Sequence, residues 1–163
     1  MMNDEEIMRE QAMVLFNRAY KRQMRGEYGT AIALYERSIA AHPTAKAYTF
    51  MGWSYSLIDQ YHKAIDACTK AIELDPDYGN PYNDIGSYLI ELGRWNEAIP
   101  WLEKSIAAAR YETPQFPHMN LGRIYEHLYD YQSALAYYNK ALEIAPLHLP
   151  SRWARDLLLG KLN

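Results

Sequence analysis

Four aromatic residues, Tyr28, Tyr61, Trp95 and Tyr131, fall at intervals of 33, 34 and 36 residues. Ala31, Ala64, Ala98 and Ala134 keep the same intervals, and so do Ile32, Ile65, Ile99 and Leu135. Self-similarity at this period marks an array of small helical units, because no single unit of that length buries its own apolar face. The most complete unit is the stretch Gly52 to Pro76. It reads as two helices folded back on each other, with Gly52 and Tyr55 in the first, Tyr61 at the turn, and Ala64, Ala71 and Ile72 in the second.

Four units follow in order, at about residues 12–44, 45–78, 79–114 and 115–148, with one more amphipathic helix over 150–162 that closes the open end. The expectation is nine helices and no strand. Residues 1–11 read as a frayed helical lead-in whose Asp4, Glu5 and Glu6 suit a helix N-terminus. Pro100 is expected in the first turn of its helix, where a missing N–H is tolerated. The third unit lacks a closing proline, since Arg110 stands in its place. A longer helix or a looser link is therefore expected around residues 109–116.

Apolar residues make up 49% of the 163, enough for a substantial core. The formal net charge of -3 argues against nucleic acid, which calls for a basic stripe, and against docking on an acidic membrane surface. No secretory leader or bilayer-spanning run is seen, and Cys68 is the single cysteine, so a soluble cytoplasmic setting is expected. His42, His62, His118, His127 and His148 show no metal-binding spacing, and neither a phosphate loop nor a nucleophile elbow occurs. Cys68 occupies a position that the other units fill with Tyr35, Leu102 and Tyr138, which points to core.

With Gly52, Tyr55, Tyr61, Ala64, Ala71 and Pro76, then Gly86, Trp95 and Ala98, then Gly122, Tyr131, Ala134, Ala141 and Pro146, the chain resembles the tetratricopeptide repeat family over about residues 12–162. The resemblance implies an all-α, right-handed superhelix with a concave groove lined by the first helix of each pair. It implies no enzymatic chemistry and no cofactor.

Helical spacing picks out the first-helix residues that packing leaves free. They are Met13, Phe16, Asn17, Tyr20 and Met24, then Lys46, Thr49, Phe50, Trp53 and Ser56. The third unit contributes Asn80, Asn83, Asp84, Ser87 and Glu91, and the fourth Phe116, Met119, Asn120, Arg123, Glu126 and His127. The expected groove is aromatic at its N-terminal end and polar towards its C-terminal end. Phe16, Tyr20, Phe50 and Trp53 would take apolar side chains of a partner peptide, while Asn83, Asn120 and Arg123 would bond its backbone or a carboxylate. Asp84, Ser87 and His127 complete the candidate set. An internal pair of Arg123 with Glu126 or Asp84 competes with that role. The clamp with which some family members hold chaperone C-termini is poorly matched, because Phe16, Tyr20, Phe50, Asn80 and Asp84 stand at its positions. A monomer or weak homodimer is expected, the latter through Trp153, Leu157, Leu158 and Leu159 of the last helix.

Overall fold

The computed structural model describes residues 1–163. Nine helices follow one another: α1 (Asp4–Met24), α2 (Tyr28–Ala41), α3 (Ala45–Ser56), α4 (Tyr61–Leu74), α5 (Asn80–Glu91), α6 (Trp95–Ala107), α7 (Gln115–His127), α8 (Tyr131–Ile144) and α9 (Leu149–Leu162). Helices α1, α3, α5 and α7 each pack on the even-numbered helix that follows, and each even-numbered helix packs on the odd one beyond. Successive first helices α1, α3, α5 and α7 also touch, whereas the second helices make no comparable contact. Closer approach on one side than on the other bends the stack into a solenoid whose inner face belongs to the first helices. No helix is long and apolar enough to cross a membrane.

The four periodic aromatics are the first residues of α2, α4, α6 and α8. Ahead of each lies the same turn. The amide of Glu27, Gln60, Arg94 or Asp130 bonds the carbonyl of Arg22, Tyr55, Leu89 or Tyr125, at 2.8–3.0 Å. The preceding residue in each case, Gly26, Asp59, Gly93 or Tyr129, has φ between 58° and 78°. This is the helix-ending motif in which one left-handed residue lets orphan carbonyls find donors.

Inside each pair a small residue faces a side chain sixteen positions later in the chain. Gly52 meets Cys68, Gly86 meets Leu102 and Gly122 meets Tyr138, so close that an added Cβ would sit 3.1, 2.6 and 2.4 Å from the nearest side-chain atom. Ala19 and Tyr35 hold the equivalent places in the first pair, both fully buried. Where the second helix supplies a tyrosine, the first supplies an acceptor twelve positions before it. Tyr35 donates to Gln23 Oε1 at 2.6 Å, and Tyr138 to Glu126 Oε2 at 2.8 Å. Cys68 and Leu102 need no such partner, and Ser56 and Ile90 stand at the corresponding places. Ala31, Ala64, Ala98 and Ala134 are all fully buried, so the helix pairs approach at the expected alanines. A leucine at Ala64 would overpack this contact at a cost of roughly 1–3 kcal/mol.

Two local expectations are corrected, and a third is decided between its two alternatives. Residues from Asp4 onward are no frayed lead-in: they open α1, where Asn3 and Glu6 form a reciprocal capping box. Pro100 lies inside α6 rather than in its first turn, because the helix already starts at Trp95. The carbonyl that loses its donor there is that of Asn96, and Asn96 and Pro100 are both exposed, so the group lies on the side open to hydration. The segment after α6 is the looser link, not a longer helix. Residues 108–114 double back along the α4–α5 connection, where Arg110 accepts from Gly79 N–H at 2.8 Å and donates to the Asp77 carbonyl at 3.0 Å. The Arg110 guanidinium reaches Asp75 Oδ2 at 2.6 Å. Backbone pairing thus holds the link that the absent proline would otherwise stiffen.

Candidate functional site

The inner face starts with an aromatic ladder on α1 and α3. Phe16 and Phe50 meet edge-on with ring centroids 5.2 Å apart, Tyr20 lies 5.8 Å from Phe50, and Trp53 lies 5.9 Å from Phe50 on the other side. The Lys46 ammonium hangs over Phe16 and Phe50 at 5.3 and 5.8 Å, in cation–π range. Tyr20 and Trp53 remain 40% and 38% exposed. All four predicted aromatic residues are therefore brought together, with one flank open to solvent. Thr49, expected on the open stripe, is buried and turns its hydroxyl back to the Ala45 carbonyl at 2.7 Å.

From Phe50 and Trp53 the surface dips into a cleft of about 350 Å³, bounded beyond by Asn80 and Asp84 of α5, Tyr111 and Thr113 of the link, and Phe116 of α7. Asp84 is half-buried in its lining. Burial pushes its carboxyl up to about 7, opposed only by the Asn83 amide. Ser87 sits half-buried one turn further along α5.

Asn83 and Asn120 are not available in the way the helical spacing predicts. Both are buried, and Asn120 Nδ2 donates to Asn83 Oδ1 at 3.0 Å. Arg123 continues the chain, donating to Asn120 Oδ1 and to Glu91 Oε1, each at 3.3 Å. The internal partner of Arg123 is thus Glu91 rather than Glu126 or Asp84. These amides and the guanidinium tie α5 to α7. A wheel drawn for one helix cannot show that its neighbour covers one edge of the free stripe. His127 lies outside the cleft, stacked on Trp95 with centroids 4.0 Å apart.

The polar run does not persist to the end. Carrying the period past residue 148 places Trp153 and Leu157 of α9 at the register of Met119 and Arg123. They border a hollow of about 520 Å³ with Met119, Ala154 and Pro150 and stay 62% and 69% exposed. Apolar surface thus returns at the C-terminal end, contrary to the sequence expectation. On α9, Arg155 and Asp156 fall where α7 has Leu121 and Gly122, so the face that would accept another second helix is charged. Leu158 is fully buried against Ala134 and Tyr138, and Lys161 reaches Glu126 at 2.9 Å, so α9 packs within its own chain. Burial raises the Glu126 carboxyl, but the Lys161 ammonium and the Tyr138 hydroxyl outweigh it and hold it below the usual value.

Cys68 is fully buried, and burial with the nearby Asp84 charge pushes its thiol well up, the reverse of what a nucleophile needs. One tetratricopeptide repeat model matches residues 45–78 and another residues 77–147, adjoining spans that take in three of the four helix pairs. The chain belongs to the tetratricopeptide repeat family. Repeats of this family mediate protein–protein interaction and are typically non-catalytic.

Among curated relatives, small glutamine-rich tetratricopeptide repeat-containing protein 2 of Mycosarcoma maydis is 32% identical over 81 residues, 49% of this chain and 23% of that protein. Anaphase-promoting complex subunit 3 of Schizosaccharomyces pombe is 28% identical over 119 residues, 72% of this chain and 18% of that protein. This tetratricopeptide repeat chain thus spans about a fifth of the length of these two relatives. The solved structure of PilF from Pseudomonas aeruginosa superposes with a TM-score of 0.86 over 94% of this chain and 70% of that one, at 19% identity, a likeness of fold.

Proposed function

We propose that the inner face binds a peptide segment of another protein, making the chain an adaptor or scaffold component. The observation that carries this is the ladder Tyr20, Phe16, Phe50 and Trp53. A helical stack gains nothing from leaving two large rings about 40% exposed on neighbouring helices, and apolar surface of that kind on a soluble face usually serves contact. The rings already pack on one another, so a ligand meets a preformed surface and little side-chain entropy is lost on binding. The relative named as a subunit of the anaphase-promoting complex accords with work inside an assembly. The test is selection of a random nonapeptide library on the chain and on Phe50→Ala/Trp53→Ala. Peptides enriched on the parent chain are expected to bind the double variant at least tenfold more weakly, as loss of two interface anchors implies. Equal binding by a variant with an unchanged circular dichroism spectrum removes the ladder from the site.

A second reading is self-association through α9, favoured by the exposure of Trp153 and Leu157. Light scattering over a range of concentrations decides it. A mass that rises with concentration in the chain but not in Trp153→Ser/Leu157→Ser supports it, and a constant monomer mass rejects it.

A further inference from the structure

We propose that the cleft between α3, α5 and the 108–114 link receives a cationic side chain of the partner segment, an arginine guanidinium by preference. This rests on the inner-face reading and names what one part of that face selects.

The cleft offers acceptors and rings without a cation of its own. The Asp84 carboxylate has one side-chain hydrogen bond, a long 3.5 Å contact from the adjacent Asn83, and no lysine or arginine charge acts on it. Asn80 Oδ1, also on the cleft wall, is buried with no hydrogen-bond partner at all. Buried polar groups normally find partners, and a partly buried carboxylate without a cation is the costlier of the two to leave unmatched. The other walls are Phe50, Trp53, Tyr111 and Phe116, whose faces attract a cation, above all a planar one that can stack. A guanidinium presents several N–H donors from one plane, a fork that matches the two oxygens of the Asp84 carboxylate, whereas an ammonium is a compact point charge. The formal net charge of -3 draws a basic segment rather than an acidic one. The nearby cations are otherwise engaged: Lys46 over the Phe16 and Phe50 rings, Arg110 on Asp75, and Arg123 on Glu91 and Asn120.

The probes are N-acetyl-arginine N-methylamide and its neutral counterpart of the same shape, N-acetyl-citrulline N-methylamide, titrated into the ¹⁵N-labelled chain. The Trp53 indole N–H is expected to shift saturably with the arginine probe and at least tenfold more weakly with citrulline. Asp84→Asn, which keeps the side-chain volume, is expected to weaken the arginine probe at least tenfold while melting no lower than the parent. Equal binding of the two probes, no saturable shift, or undiminished binding by Asp84→Asn overturns the proposal. The nonapeptide selection separates the two levels. Enriched peptides that need the Phe50–Trp53 ladder but carry no basic residue overturn the cation site and leave the inner-face reading standing. Peptides indifferent to the ladder overturn the inner-face reading itself.

Discussion

Gly122 and Asp84 show how much one side chain decides here. An added methyl on Gly122 would lie 2.4 Å from the Tyr138 ring, which cannot swing away because it is buried and its hydroxyl is held by Glu126. Alanine gains up to about 1 kcal/mol of helix propensity over glycine, but overpacking a fixed ring costs roughly 1–3 kcal/mol. Gly122→Ala is therefore expected to lower stability in urea denaturation, and Gly122→Ala/Tyr138→Leu to recover part of the loss. Asp84 works through its proton. An unfolded aspartate titrates near 3.8 and folded Asp84 near 7, so between these values the folded chain holds more protons. Its contribution to stability accordingly falls as pH rises through that window and is flat beyond it. Asp84→Asn removes the penalty: the variant should equal the parent near pH 4 and exceed it at pH 8, by on the order of 2 kcal/mol after solvent screening is allowed for. Melting curves at the two pH values check this.

At the scale of elements, the turns and the closing helix carry separate expectations. The left-handed turn residue is glycine in Gly26 and Gly93, but Tyr129 adopts φ 62° with its side chain 80% exposed. A left-handed conformation costs a side-chain-bearing residue roughly 1–2 kcal/mol, so Tyr129→Gly should raise stability by about 1 kcal/mol, read as a higher urea midpoint. Helix α9 is held by Leu158 and by the Lys161–Glu126 pair, and the exposed pair adds little. Leu158→Ala should cost roughly 2–5 kcal/mol and speed amide exchange throughout α9 before it does so in α3 or α5. Most of these elements were legible in the sequence, because Tyr28, Tyr61, Trp95 and Tyr131 repeat with the period and each opens a second helix. The place of Pro100 in its helix and the pairing that holds the 108–114 link were less legible. The first follows only once the periodic Trp95 is taken as the first helical residue and not as part of the turn, and the second rests on backbone pairing with the distant Asp77 and Gly79, which leaves no local side-chain pattern.

Across the whole molecule, periodicity reached the fold and about half of the candidate site. Phe16, Tyr20, Phe50 and Trp53 lie together as their spacing implies, because each points away from its own second helix. Asn83 and Asn120 obey the same rule yet are buried, since contact between α5 and α7 is a property of stacking and not of either helix. The apolar return at Trp153 and Leu157 was within reach of the sequence by extending the register one step further. The resulting surface has rings at one end, an unpaired carboxylate in the middle and apolar side chains at the other end. Chemical-shift mapping of the full chain with a library-selected nonapeptide tests most directly whether this surface is the binding face. Perturbations confined to the inner stripe of α1, α3, α5 and α7, with Tyr20, Phe50, Trp53 and Phe116 shifted most, are the predicted result. Perturbations on the outer faces of α2, α4, α6 and α8 would contradict it.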